Sequence, residues 1–63
     1  MVNRINKNNK PKIIKYIINR FNQISKKNDN KLSIIDIWDV QLETEQKFNI
    51  SEYQVEKLTS KLL

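Results

Sequence analysis

The chain contains no glycine. Glycine supplies left-handed backbone and close approach of backbone to ligand without steric cost, so its absence removes whole classes of site. A phosphate-cradling P-loop, a dinucleotide fingerprint, a nucleophile elbow and an EF-hand loop all need it. Left-handed turn positions then fall mainly to asparagine, the non-glycine residue that tolerates them best. Asn28, Asn30 and Asn49 stand where elements are expected to end.

The other absences narrow the chemistry. Without cysteine there is no disulfide framework and no thiolate metal site, and without histidine there is no imidazole ligand or acid–base group near neutral pH. Sixty-three residues make one domain with a core near the lower limit of what folds alone. A content of 38% hydrophobic residues excludes a fully disordered chain, and 30% charged residues leave a well-solvated surface. A domain of this size has only ~3–5 kcal/mol to spare without a staple, so a homodimer or another partner is one route to stability.

Residues 1–9 are polar, basic and aperiodic, and read as a flexible arm before a single domain over 10–63. Pro11 suits the first turn of a helix, with Asn9 or Lys10 before it as cap. Ile13, Ile14, Ile17, Ile18, Phe21 and Ile24 then recur at helical spacing within an arc of roughly 140°. The spacing predicts a first helix over 11–27, ended by the turn formers KKNDNK. Lys12, Lys15, Asn19, Asn22 and Lys26 hold its opposite face, beside Tyr16, which could stack on a base or simply be an exposed tyrosine.

Two matching start signals follow, eighteen positions apart. Ser33 with Asp36, and Ser51 with Gln54, have the spacing of capping boxes; Leu32 with Ile37, and Ile50 with Val55, have that of hydrophobic staples. They predict a second helix over 34–48 and a third over 52–63. The second has a broad apolar side of Ile34, Ile35, Ile37, Trp38, Leu42 and Phe48, and a weakly apolar stretch at 43–46 where a break is conceivable. The third places Val55, Leu58 and Leu62 inward. No strand-like alternation or glycine-bearing hairpin signal occurs. The expected fold is all-α, three helices around Ile14, Ile17, Phe21, Trp38, Val55, Leu58 and Leu62.

Charge divides the chain. Residues 1–31 carry nine basic side chains against one acidic, residues 32–63 three against six, for a net +5. A polyanion should meet the basic half first. No apolar run approaches the ~20 residues that span a bilayer, and the amino terminus lacks the apolar core of a secretory signal. A cytoplasmic protein without a membrane partner is expected.

The twenty residues Gln41–Ser60, QLETEQKFNISEYQVEKLTS, resemble the helix-turn-helix unit of small bacterial and phage regulators. Phe48 corresponds to the apolar residue closing the first helix, Asn49 to the positive-φ turn, and Ile50 to the apolar residue after it. Ser51 corresponds to the cap, and Val55 and Leu58 to the inner face of the recognition helix. The sequence departs from the family at Glu45, where a small residue is usual at the helix crossing. The sequence reaches Leu63 where the wing of winged members would begin, and no wing is expected. The resemblance implies a DNA-binding regulatory or accessory protein, of phage or mobile-element type and in some cases dimeric. Ser51, Tyr53 and Lys57 would face bases, with Glu52, Glu56 and Ser60 nearby. Arg4, Lys7, Lys10, Lys12 and Lys15 would hold the phosphate backbone of double-stranded DNA.

The alternative is a protein-interaction module, an inhibitor, adaptor or self-assembling subunit, whose partner surface is the acidic stripe Asp36, Asp39 and Glu43. That stripe has no further ligand converging by sequence and is read as surface rather than a metal site. No base–nucleophile pair has a recognisable setting. No enzyme, catalytic residue or cofactor is expected.

Overall fold

The computed structural model describes residues 3–62. It is an all-α fold of three helices, α1 (Lys10–Lys27), α2 (Ile34–Phe48) and α3 (Glu52–Leu62), with α2 packed against both others. α1 starts one residue before its predicted span, α2 matches its span, and α3 begins at Glu52 as its capping signal predicts; position 63, where the predicted third helix ends, lies outside the described residues. α2 runs unbroken through 43–46.

Helix ends are set by polar side chains and by asparagine and aspartate standing in for glycine. At the start of α2 the Ser33 hydroxyl accepts from the Asp36 amide at 3.2 Å, and the Asp36 carboxylate accepts from the Ser33 amide at 3.1 Å. That is a complete capping box. The second box forms only in part. The Gln54 amide donates to Ser51 Oγ at 3.4 Å, but the Gln54 side-chain carbonyl accepts from the amide of Ile5, 2.8 Å away. α1 and α2 end alike: the Asn30 amide donates to the Ser25 carbonyl, and the Ile50 amide to the Glu45 carbonyl. Both bonds are the six-residue closure of a Schellman motif. Asp29, Asn30 and Asn49 take positive φ (54°, 64° and 53°), while Asn28 stays at −116°. A β-branched side chain is poorly tolerated in that region. Asn49→Val is therefore expected to cost about 1–3 kcal/mol and Asn49→Gly less than ~1 kcal/mol, read from urea melts.

The core is Ile13, Ile17 and Phe21 of α1, Val40 of α2, Ile50 of the turn, and Val55 and Leu58 of α3. Ile14 and Leu62, expected inside, are half-buried at its rim. Thr44 and Thr59 are also buried, each donating its hydroxyl to the carbonyl four residues back at 2.7 Å. Those bonds satisfy the hydroxyls within their own helices, so small polar side chains can sit at the packed surfaces.

α2 corrects the sequence expectation most. Trp38 is not a core anchor: it is 63% exposed, and Ile34, Ile35 and Leu42 are 64%, 66% and 53% exposed. The residues turned inward are Ile37, Val40, Thr44 and Phe48. At 100° per residue these four share an arc of roughly 80°, while Ile34, Trp38, Leu42 and Ile35 share another of roughly 100°. α2 thus carries two apolar faces. Phe48 lies in phase with Val40 and Thr44, and Ile50 after it is buried, so the corner leading to α3 fixes which face turns in.

Residues 3–9, before α1, have a defined place. The Asn3 amide donates to the Asn49 carbonyl at 2.6 Å and Asn3 Nδ2 to the Phe48 carbonyl at 2.9 Å. Asn3 also forms an isolated parallel bridge with Ile50. Asn6 and Asn9 then turn the chain into α1: Asn6 Oδ1 accepts from the amides of Asn8 and Asn9, and Asn9 Oδ1 from that of Asn6. These bonds occupy the Asn9 side chain, which makes no capping bond to α1.

Candidate functional site

The outer apolar face of α2 borders a groove against α3. The groove, ≈ 410 Å³, is lined by Trp38, Gln41, Leu42 and Glu45 of α2 and by Glu52 and Glu56 of α3. Helical spacing assembles it: Trp38, Gln41, Leu42 and Glu45 fall on one side of α2, and Glu52 and Glu56 are one turn apart on α3. No basic side chain lines it.

Glu45 is the residue the sequence marks as misplaced for a close helix crossing. The buried small residue on α2 is its neighbour Thr44, and Glu45 lies half-buried on the flank. Burial first, then the charges of Glu52 and Glu56, push the Glu45 carboxyl above its ordinary value of 4.5. The sign of the linkage follows. Below the ordinary value the group is neutral in folded and unfolded chain alike and costs nothing. As pH rises through the elevated folded value, the charge is imposed on the folded state and stability is lost. Glu45→Gln should therefore raise the melting temperature at pH 7, and the difference should vanish below pH 4.5.

The acidic stripe expected from sequence is differently employed. The Glu43 carboxylate takes a bidentate pair from Arg20 of α1, both bonds 2.9 Å, and Arg20 also donates to Gln23. Bidentate geometry between two rigid helices places this half-exposed pair near the upper end of the ~0.2–1 kcal/mol typical of such bridges. Asp36 is engaged in the capping box, and Asp39 is exposed. Among the described residues no group of three acidic side chains is placed to hold a metal ion.

A second groove, ≈ 250 Å³, opens on the other flank of α3 between Ile5, Lys10, Gln54, Lys57, Leu58 and Lys61. It brings Lys10 together with Lys57, although the sequence gives no direct sign that they are neighbours. Arg4 and Lys7 are exposed on the arm nearby in sequence. Lys12 and Lys15 lie on the side of α1 turned away from Ile13 and Ile17, by helical phase. Of the residues expected to face bases, Ser51 is half-buried and engaged as a cap, while Tyr53 and Lys57 are exposed. Tyr16 packs edge-on against Phe48, ring centroids 5.7 Å apart, with Lys47 Nζ 5.2 Å from its centroid. It belongs to the α1–α2 packing.

The exposed arc of α3 is therefore graded, acidic beside α2 and basic beside the arm. No protein-family model, curated protein or solved structure matches this chain. Among the described residues no helix is long and apolar enough to cross a membrane.

Proposed function

We propose that this chain is a cytoplasmic protein-interaction module that docks a partner on the outer face of α2. One observation carries the reading: Ile34, Ile35, Trp38 and Leu42 are all more than half exposed on one side of a helix whose opposite side is already buried. A helix apolar on both sides is ordinarily covered on both. A contiguous exposed patch containing tryptophan has the composition of an interaction site rather than of plain surface. The acidic groove beside it adds charge selection.

A photo-crosslinking amino acid at position 41, in the groove beside an intact Trp38, compared with one at position 22 on the outer side of α1, tests the proposal in cells. Position 41 should give one discrete protein adduct that survives nuclease treatment, and position 22 none. Absence of an adduct at 41 would reject it.

Duplex DNA binding by a helix-turn-helix regulator is the second reading, favoured by the groove that Lys10, Lys57 and Lys61 share. Against it, Glu52 and Glu56 stand on the exposed side of the same helix. A salt series decides: binding at low salt that Lys57→Glu weakens supports DNA, and no binding at any salt ends this reading.

A further inference from the structure

Resting on the interaction reading, we infer that the partner element is a cationic amphipathic helix, its apolar side against Trp38 and Leu42 and its basic side against Glu45, Glu52 and Glu56. Ile34, Trp38 and Leu42 succeed one another every four residues. They present a ridge about 12 Å long, which matches two turns of a helix carrying apolar anchors at i, i+3 or i+4, and i+7. The Glu52–Glu56 spacing of one turn fits basic side chains one turn apart on the partner's flank.

Charge complementarity selects this occupant over others. Three carboxylates share the groove with no basic side chain lining it, and burial together with Glu52 and Glu56 already raises the Glu45 carboxyl. A cation docked there relieves the repulsion that the free protein bears. An anionic membrane surface or an acidic helix would add to it. A second copy docking the same face by twofold symmetry would set the glutamate trio against itself. Among the described residues, the large apolar side chains exposed away from this face are Ile18 of α1 and Tyr53 of α3, which stand on different helices and give a second copy no continuous ridge to offer.

The molecule carries its own reporter, since Trp38 is the single tryptophan. The intact chain would be titrated with three tryptophan-free peptides about four turns long: a Leu/Lys amphipathic helix, a Leu/Glu helix of the same pattern, and a Gln/Lys peptide without apolar residues. The expected result is a blue shift of Trp38 emission with Leu/Lys alone. Because the protein's net charge is +5, bulk attraction would favour the anionic peptide instead. E45Q/E52Q/E56Q, checked for unchanged helicity, should weaken Leu/Lys binding by about tenfold or more. Three results would overturn the inference: equal binding of Leu/Glu, no response to any peptide, or a blue shift that tracks the protein's own concentration. The last identifies a second copy as the occupant. In each case the adduct at position 41 still decides separately whether the α2 face is an interface.

Discussion

Ile17→Ala is expected to leave much of the protein unfolded at room temperature. Ile17 is fully buried where α1 meets the rest of the core. Trimming a buried isoleucine to alanine loses its transfer free energy and leaves a cavity, about 2–5 kcal/mol in total. A stapleless domain this small holds about 3–5 kcal/mol, so the loss consumes most of its stability. Urea denaturation followed by far-ultraviolet circular dichroism should show the midpoint falling toward zero denaturant. A cost below ~1 kcal/mol would mean that α1 is not seated as described. Ile14→Ala, at the half-buried rim, should cost clearly less.

Trp38→Ala should do the reverse. With the ring mostly in solvent, stability should stay within ~0.5 kcal/mol of the parent. Partner binding should collapse, since a tryptophan anchoring an interface typically contributes 2 kcal/mol or more, about thirtyfold in affinity. Anisotropy of a labelled Leu/Lys peptide measures the second quantity, because the variant has lost its fluorophore. A variant that melts early yet binds normally would make Trp38 structural and remove the basis for the proposed function.

The contrast between these two residues shows how far the sequence can be read. Helix positions were legible because their signals are local: Ser33 with Asp36, Pro11 near the start of α1, Asn49 at the corner. The inward faces of α1 and α3 were legible where each helix has one dominant apolar stripe. α2 has two, and local periodicity cannot choose between them; the choice is made by Phe48 and Ile50 at the corner, through tertiary packing. Size and hydrophobicity alone argue for burial of Trp38, and the fold leaves it exposed because the other face of α2 is the one turned inward. The acidic groove was missed because its members come from two helices and two sequence contexts. Glu45 reads as a misfit and Glu52 and Glu56 as poor DNA contacts, and only the fold unites them. The pairing of Arg20 with Glu43, 23 positions away, lies beyond local pattern in the same way.

The strand-like attachment of residues 3–5 to the α2–α3 corner also sets an order of events. Its bonds join positions 45 and 49 apart, from Asn3 to Phe48 and from Ile5 to Gln54. Closing so long a loop is entropically costly and is repaid by few contacts, so this seam should be last to form and first to part. In native-state hydrogen exchange, the Asn3 and Ile5 amides should lose protection well before those of Ile17 or Val55. Their exchange rates would then act as a gauge of the corner while the three helices remain folded.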